Sequence, residues 1–420
     1  MKVFKFGGAS INSTNRIQNV ANIIASFKGE KLLIIISAMG KVTNALEKVA
    51  EAFYSGDKDG ALALFHELKK EHIDIATQLA GSRIPQFNDL FTEVEWLLHD
   101  KPVREYDYYY DQIVCIGELL STVIVSHFFN HSGIANQWLD VRDIVRTDDN
   151  FRDAGIDWSY TQDKVTNEVL PDFNNTNIII TQGFIGSTDE NESTTLGREG
   201  SDYTAAIFAN MLDAESQTIW KDVEGVMNAD PKKFTDAVFI GELSYNEVIE
   251  MAYYGAQVIH PKTIKPLQNK GIPLQVKCFL DANLKGTVIS NKLVHNLPPI
   301  IVVKENQVLL QLSSKDFSFI GEKGVGQLYE LFETIKIRPN LMQSGAITVL
   351  CALDDKPDRI EKLALAASEL FDVTVEKNLT LLTIRHYNQE VLQQLTEGKQ
   401  QVLSQQTSET IQVLMKVGSV

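Results

Sequence analysis

Cysteine is scarce in this 420-residue chain, which contains only Cys115, Cys278 and Cys351. Three widely spaced cysteines match neither a disulfide framework nor a metal-ligand spacing, so they favour a reducing compartment, and we expect a cytoplasmic protein. Basic residues are too few to balance the acidic ones, since 39 Lys and Arg face 55 Asp and Glu for a formal net charge of −16. Because such a surface repels nucleic acid and anionic membranes, neither is expected as a partner.

Three further absences narrow the class of protein. No apolar run approaches the ~20 residues that cross a bilayer, so no membrane span is expected. The chain opens directly on a strand pattern, so no signal peptide is expected. The P-loop spacing G-x-x-x-x-G-K-[ST] occurs nowhere in the sequence, so any nucleotide site belongs to another class. The composition that remains, 44% hydrophobic and 22% charged, is typical of a globular protein.

Short apolar strand patterns alternate with helical patterns through the first two thirds of the chain. The strand patterns lie at 2–6, 31–37, 177–181, 217–220 and 272–277, and one helical pattern runs from 16 to 27. This alternation predicts an α/β fold with a largely parallel central sheet flanked by helices. In such sheets, ligands bind beyond the carboxyl ends of the strands.

The two prolines of "HNLPPII" (295–301) predict a boundary between two parts of the chain. We expect an α/β domain over 1–295, with a long, charged helical insertion at about 44–130. From 300 to 420 the pattern predicts a small β-α-β-β-α-β unit followed by an incomplete second copy. Two α+β units after a larger domain favour regulation or oligomerisation, with a purely structural tail as the alternative.

The first stretch that suggests chemistry is "KVFKFGGAS" at 2–10. A strand that ends in Gly7 and Gly8 lets successive backbone N–H groups converge on an oxygen-rich anion. Lys5 precedes the turn, so its ammonium could reach the same anion. The alternative is a plain turn at the end of a strand.

A second stretch, "TTLGREGSDYTAA" (194–206), runs from a polar loop into an apolar helical pattern. Ser201 or Asp202 is expected to cap that helix, which leaves its N-terminus open to an anion. Arg198 could grip a carboxylate through two parallel hydrogen bonds. A simple capped helix remains the alternative.

Three smaller features add candidate residues. The loop "WKDVEGVMNADPKK" (220–233) follows a strand and could border an adenosine, in which case Lys232 or Lys233 could contact a phosphate. The alternative is an acidic surface loop. Glu118 lies in an apolar helical pattern, where it either faces solvent or holds an ammonium group. The stretch "SAMGKVTNAL" (37–46) adds Ser37 and Thr43 as polar candidates.

Taken in order, these stretches resemble the aspartate kinases of the amino acid kinase family. "KFGGAS" resembles the motif K-F-G-G-[ST]-S, and "LGREGSDYTAA" resembles G-R-G-G-S-D-[YF]. "KDVEGVMNADP" and "MAYYGAQVIHPKTI" resemble the nucleotide loop and the helix after it. The resemblance covers nearly the whole chain and implies the amino acid kinase fold followed by paired C-terminal ACT-like modules. We expect a monofunctional enzyme, without a homoserine dehydrogenase portion.

The implied reaction is phosphorylation of the β-carboxylate of L-aspartate by ATP, with Mg²⁺ carried on the ATP phosphates. It gives 4-phospho-L-aspartate and begins the synthesis of lysine, threonine and methionine, and of diaminopimelate in bacteria. The alternatives are a related kinase for another carboxylate, such as glutamate, and a catalytically weak amino-acid sensor. No protein metal site is implied. The resemblance assigns the catalytic, substrate-binding and ATP-binding roles to separate sets of residues. The catalytic residues are Lys5 and Asp202, the substrate-binding residues are Thr43, Glu118, Arg198 and Ser201, and the ATP-binding residues are Lys5, Gly7, Gly8, Ser10, Lys221, Asp222, Met227, Lys232, Gln257 and Val258.

The sequence departs from the family motifs at Ala9, Glu199, Lys221 and Met227, where Thr or Ser, Gly, Thr and Tyr are usual. Glu199 adds negative charge beside two anionic substrates, unless it pairs with Arg198 or a nearby lysine. The C-terminal modules imply a homodimer and a site for an amino-acid effector. The segment "IRPNLMQSGAIT" (337–348) has Asn340 where the resemblance implies an aspartate, and Pro339 replaces the residue before it. An effector ammonium would therefore lose a charged partner.

Overall fold

The computed structural model describes residues 1–81 and 84–416. The chain divides into two compact units. The first unit contains 1–226, 239–249 and 258–294, and the second contains 227–238, 250–257 and the chain from 295 onward. The last four residues of the predicted 300–420 region lie outside the described residues. The assignment of catalysis to 1–295 and of regulation to 300–420 stays a prediction.

The first 290 residues alternate strands with helices, as the sequence pattern predicts. The strands are β1 (Lys2–Phe6), β2 (Leu32–Ile36), β3 (Gln137–Trp138), β4 (Ile178–Gln182), β5 (Ile185–Ser187), β6 (Ser193–Thr195), β7 (Ser216–Lys221), β8 (Val226–Met227), β9 (Phe239–Ile240), β10 (Glu242–Ser244), β11 (Leu274–Cys278) and β12 (Thr287–Ser290). The helices are α1 (Thr14–Ala25), α2 (Val42–Tyr54), α3 (Lys58–Ala80), α4 (Gln86–His99), α5 (Tyr106–Val114), α6 (Ile116–His131), α7 (Trp158–Lys164), α8 (Leu170–Asp172), α9 (Gly200–Met211), α10 (Tyr245–Tyr254) and α11 (Pro261–Lys270).

The first unit is built on an eight-stranded sheet in the order β10-β12-β11-β7-β1-β2-β4-β3. All neighbours run parallel except β11 and β12. All five residues of β2 are buried, because a parallel strand in the centre of the sheet is covered on both faces. The predicted largely parallel sheet is therefore confirmed. The carboxyl ends of β1, β2 and β7 meet at one edge of this sheet, so the loops that follow them lie together.

Helices α2 to α6 occupy the chain between β2 and β3. The stretch Tyr106–His131, which contains α5 and α6, is long and apolar enough to cross a membrane, with a mean hydropathy of 1.6 over its best 18 residues. The expectation that no such run exists was therefore wrong. In the structure 89% of that window is buried inside the protein, as in the core helix of a globular domain.

The second unit contains one antiparallel sheet in the order β14-β15-β13-β16-β18-β17. Its strands and helices are β13 (Ile300–Ser314), α12 (Glu322–Thr334), β14 (Leu341–Ser344), β15 (Thr348–Asp354), α13 (Pro357–Ala367), β16 (Phe371–Arg385), α14 (Gln389–Thr396), β17 (Gln401–Gln406) and β18 (Thr410–Lys416). The predicted α+β pattern is confirmed, and the strands of this region form one continuous sheet. Strands β13 and β16 each have 15 residues and belong to both predicted α+β units. The register between these two strands is irregular near Gln307.

Candidate active site

The chain turns sharply where β1 ends, and this turn needs glycine. A Cβ atom added to Gly8 would lie 2.6 Å from the carbonyl oxygen of Ala38, closer than real side chains approach. Gly8 is held there because its carbonyl accepts a hydrogen bond from the N–H of Gly40 at 3.1 Å. The loops after β1 and β2 therefore run side by side. Their bare backbone forms one wall of a cavity of about 470 Å³.

Lys5 and Asp202 form an ion pair beside this turn. Lys5 Nζ lies 2.8 Å from Asp202 Oδ1, and the two side chains are only 12% and 5% exposed. A Cβ atom on Gly7 would lie 3.2 Å from Lys5 Nζ, which places the ammonium directly beside the glycine turn. Asp202 Oδ1 makes no well-directed hydrogen bond to any described residue, so its contact with Lys5 is electrostatic. The pair fixes a positive charge where the backbone could receive an anion.

Glu118 is the buried carboxylate of this cavity. It lies in the first turn of α6, a helix that is buried along most of its length. Oε1 accepts the N–H of Ala38 at 3.2 Å, whereas Oε2 has no hydrogen-bond partner among the described residues. Burial raises the pKa of Glu118 to about 8, against the opposing effects of the Ala38 hydrogen bond and the charge of Lys5. A cationic ligand would satisfy the open oxygen and restore the ionised form.

The loop between β6 and α9 carries Arg198 into the same cavity. The Arg198 side chain is exposed and forms no ion pair with any described residue. Ser201 and Asp202 were expected to cap α9, but the helix begins at Gly200 and both residues lie inside its first turn. The residue before the helix is Glu199, which makes no side-chain cap. Asp202 is thereby directed to Lys5 instead of to the end of its own helix.

The structure brings all six predicted catalytic and substrate-binding residues, and one predicted ATP-binding glycine, to one place. The cavity is lined by these seven, Lys5, Gly8, Thr43, Glu118, Arg198, Ser201 and Asp202, and by the candidate Ser37. Gly7 adjoins the cavity wall, and the hydroxyl of Ser10 is turned away from it to donate to the carbonyl of Trp220 at 3.4 Å. Their chemical roles remain predictions.

The predicted nucleotide-binding residues are more scattered along the chain. Lys221, Asp222 and Val258 belong to the first unit but do not line the cavity around Lys5. Three others, Met227, Lys232 and Gln257, belong to the second unit. Their roles also remain predictions.

Two of the unusual residues make specific contacts. Glu199 has a left-handed backbone conformation with φ of 54°, which disfavours any residue except glycine by roughly 1–2 kcal/mol. The sequence had suggested that its carboxylate could pair with Arg198 or with a lysine. In the structure it pairs with neither, and Oε2 instead accepts the backbone N–H of His260 at 2.9 Å. The ammonium of Lys221 donates to the carbonyl of Val258 at 2.8 Å.

Sequence reasoning did not single out Asp111, a fully buried carboxylate in α5. It accepts hydrogen bonds from the N–H of Arg152 at 3.0 Å, and from the N–H and hydroxyl of Thr195 at 2.8 and 2.7 Å. Burial raises the pKa of Asp111 to about 6, although these hydrogen bonds oppose the shift. Asp111 therefore joins α5 to the segment that leads to Arg198. A charged residue in the aromatic pattern "YDYYYDQIV" was the one available signal.

Arg152 and Tyr110 are further cavity residues that the sequence did not suggest. The Arg152 guanidinium lies 4.3 Å from the ring centre of Tyr110 and donates to Asp107 at 3.1 Å. Among the described residues, no group of three or more His, Cys, Asp or Glu side chains is arranged to hold a metal ion.

Several known proteins are similar to this chain. The family model of the amino acid kinase family matches residues 1–278. The lysine-sensitive aspartokinase 3 of Escherichia coli K12 is 30% identical over 400 residues, which cover 91% of this chain and 86% of that protein. The crystal structure of E. coli aspartokinase III in complex with aspartate and ADP has a TM-score of 0.82 at 27% identity and covers 99% of this chain and 96% of that one. The same enzyme with lysine and aspartate gives a TM-score of 0.78 at 28% identity, with 99% and 95% covered.

Proposed function

The chain belongs to the amino acid kinase family, and from this premise we propose that it transfers the γ-phosphoryl group of ATP to the β-carboxylate of L-aspartate. The aspartate- and ADP-bound relative, similar along almost the whole chain, supports this substrate pair. One observation in the structure carries the proposal. A cation fixed beside a glycine turn and an unpaired arginine line the same cavity, together with an open carboxylate oxygen.

The open groups of the cavity fit the backbone end of an amino acid. Arg198 would bind the α-carboxylate, because a guanidinium donates two parallel hydrogen bonds to a carboxylate. Glu118 Oε2 would accept the α-ammonium, and Thr43 and Ser201 would complete the pocket. Because the free Glu118 has a pKa of about 8, binding of the ammonium near neutral pH would release a proton from this residue.

Phosphoryl transfer requires little proton chemistry here. The β-carboxylate is ionised at neutral pH, so one of its oxygens forms a bond to the γ-phosphorus as the bond to the β,γ-bridging oxygen breaks and ADP leaves. Lys5 and the amides of Gly7 and Gly8 would stabilise charge on the γ-phosphoryl oxygens. Asp202 would orient Lys5 and, when Mg²⁺ is present on the ATP phosphates, the ion that reduces their charge. Lys221, Asp222, Met227, Lys232, Gln257 and Val258 are retained as the proposed border of the nucleotide.

The C-terminal region is proposed to regulate the enzyme and to join two copies of it. Strands β14 and β17 are the outer strands of its sheet, and such edges can pair with another chain. Asn340 is already committed, because its amide oxygen accepts the ammonium of Lys304 at 2.7 Å and its amide nitrogen donates to Asp354 at 2.8 Å. An amino-acid effector would find no carboxylate at residue 340, and the amide that stands there already has hydrogen-bond partners.

The wider role follows from the product, an acyl phosphate of aspartate. We propose that 1–295 performs the first step towards lysine, threonine and methionine in the cytoplasm, and that 300–420 responds to end products. A kinase for glutamate is the second candidate, since its substrate has the same α-carboxylate and ammonium. A weakly catalytic sensor is the third, since Ala9, Glu199 and Lys221 depart from the family motifs.

The three candidates are separated by measuring ADP release from MgATP with L-aspartate, L-glutamate or no acceptor. Each reaction is run with and without lysine and threonine. We expect release that depends on aspartate and exceeds that with glutamate. Faster release with glutamate would select the second candidate, and no acceptor-dependent release would select the sensor.

A further inference from the structure

Two residues that depart from the family motifs contact the same short segment. Glu199 Oε2 accepts the N–H of His260, and Lys221 Nζ donates to the carbonyl of Val258. The two contacts are 2.9 and 2.8 Å long and lie two residues apart on the segment 258–260, which leads into α11. A glycine at position 199 could not make the first contact because it has no side chain, and a threonine at position 221 could not make the second because it has no ammonium group.

The contacts bind this segment from two different loops. Glu199 follows Arg198 in the loop that carries the proposed amino-acid site. Lys221 is the last residue of β7, and Asp222, in the proposed nucleotide border, comes next. The segment 258–260 is thus hydrogen-bonded to one loop through an N–H and to the other through a C=O.

The left-handed backbone of Glu199 gives this contact further weight. Glycine would adopt that conformation without strain, whereas glutamate at φ of 54° does so at a cost. The hydrogen bond from the N–H of His260 to the Glu199 carboxylate offsets the conformational cost of this backbone. Lys262 adds a neighbouring connection, because its ammonium pairs with Asp153 and lies 3.5 Å from the carbonyl of Leu196.

We propose that Glu199 and Lys221 are positioning residues that couple the amino-acid site to the nucleotide site through residues 258–260. Both act on this account through the segment, Lys221 in addition to its proposed place at the nucleotide border, and the inference rests on the proposed function. Aspartate bound at Arg198 would hold the neighbouring Glu199 in position. Glu199 would in turn hold residues 258–260, which Lys221 contacts beside the nucleotide loop. Because binding free energies are reciprocal, ADP must strengthen aspartate binding by the same factor.

The test measures the dissociation constant of MgADP by titration calorimetry, with and without saturating L-aspartate, so that no turnover occurs. The wild-type chain should bind MgADP about 5-fold or more tightly with aspartate present. Glu199→Gly and Lys221→Thr should each reduce that factor to near one. The double variant should do no more than either single variant, because both residues act on one segment.

Two controls separate coupling from a merely structural role. Glu199→Gln keeps an amide oxygen as acceptor and should retain most of the coupling. Lys270→Thr removes an exposed lysine on α11 that pairs with Asp213 at 2.5 Å, and it should leave the coupling unchanged. Glu199→Gly also relieves the left-handed backbone, so its melting temperature should not fall as its coupling is lost.

The outcomes distinguish this inference from the proposed function. Suppose that the wild-type chain releases ADP in the presence of aspartate. A wild-type coupling factor near one, or a factor that is unchanged in Glu199→Gly and Lys221→Thr, would then overturn the proposed coupling but not the proposed function. Additive losses in the double variant also overturn it, since they indicate two independent contacts. If the wild-type chain does not bind aspartate, or does not release ADP from MgATP when aspartate is the acceptor, the proposed function itself is overturned.

Discussion

The two halves of the cavity differ in how far their charges are satisfied. On the side of the glycine turn, Lys5 is paired with Asp202 in a contact that solvent scarcely reaches. The other half consists of the proposed amino-acid-binding groups: among the described residues, Arg198 has no charged partner and Glu118 Oε2 has no hydrogen-bond partner. The first half is organised before any ligand arrives, and the second is completed by its ligand.

This difference matches two chemical tasks. A group that stabilises a transition state acts best when it is already in place, because no reorganisation is then needed during the reaction. A group that selects a substrate gains specificity when only the correct ligand supplies its missing partner, because a wrong ligand leaves that group without one. Substitutions in the first half should therefore change turnover, and substitutions in the second should change substrate affinity.

The largest effect is expected from the satisfied half. Lys5→Ala should lower kcat by about 10²–10³, the loss typical of one donor to a transition state, with a small change in the aspartate KM. The measurement is steady-state ADP release, corrected for the folded fraction, because Asp202 loses its buried partner. Lys2→Ala, on the same strand and paired with Glu30 outside the cavity, is the matched control. Near-normal kcat in Lys5→Ala would remove Lys5 from the chemistry.

The next effect tests the unsatisfied half. Arg198→Lys keeps the positive charge but loses the two parallel hydrogen bonds, so the aspartate KM should rise roughly 10–100-fold while kcat changes less. Arg146→Lys, at an arginine that stacks on Tyr160, controls for the substitution itself. An unchanged aspartate KM would exclude Arg198 from the substrate site. A fall confined to kcat would contradict the division between the halves.

A pH dependence should follow from Glu118. Its pKa of about 8 means that the free enzyme is mostly protonated at this residue below pH 8, whereas the substrate ammonium requires the carboxylate. The aspartate kcat/KM should therefore rise with pH, roughly 10-fold between pH 6.5 and 8, and then level. Glu118→Gln should be weaker but flat over this range. A wild-type profile as flat as that of Glu118→Gln would refute the assignment.

The smallest effect on affinity is expected at Asp111, which supports the site without touching it. In Asp111→Asn one oxygen can still accept both N–H groups, but an amide NH2 replaces the oxygen that accepts the Thr195 hydroxyl. The unfolding free energy should therefore fall by about 1–3 kcal/mol. The aspartate KM should rise less than in Arg198→Lys, because only the position of the loop changes. Asp107→Asn removes an exposed ion pair on the same helix and should be nearly neutral in thermal unfolding. Equal melting temperatures for the two variants would contradict the role given to Asp111.

Much of the fold was accessible from local sequence because its determinants are local. The apolar run of β2 and the glycine turn after β1 are set by neighbouring residues, and both were predicted. The continuity of β16 was missed, because Asn378 with φ of 60° interrupts the apolar pattern without ending the strand.

The candidate site shows the same limit. Lys5, Arg198 and Asp202 lie in motifs, and the structure brings them to one cavity as expected. Asp111 binds Thr195 across 84 residues of sequence, and Arg152 across 41, so no local pattern reveals these contacts. Glu199 was recognised as unusual, but its partner His260 depends on the packing of a distant loop.

The most direct test of the account is the identity of the phosphorylated product. The wild-type chain is incubated with MgATP and L-aspartate in the presence of hydroxylamine, which converts an acyl phosphate to a hydroxamate. The account predicts aspartate β-hydroxamate in amounts equal to the ADP released, and loss of both in Lys5→Ala. ADP release without hydroxamate, or hydroxamate formed from glutamate in preference to aspartate, would contradict it.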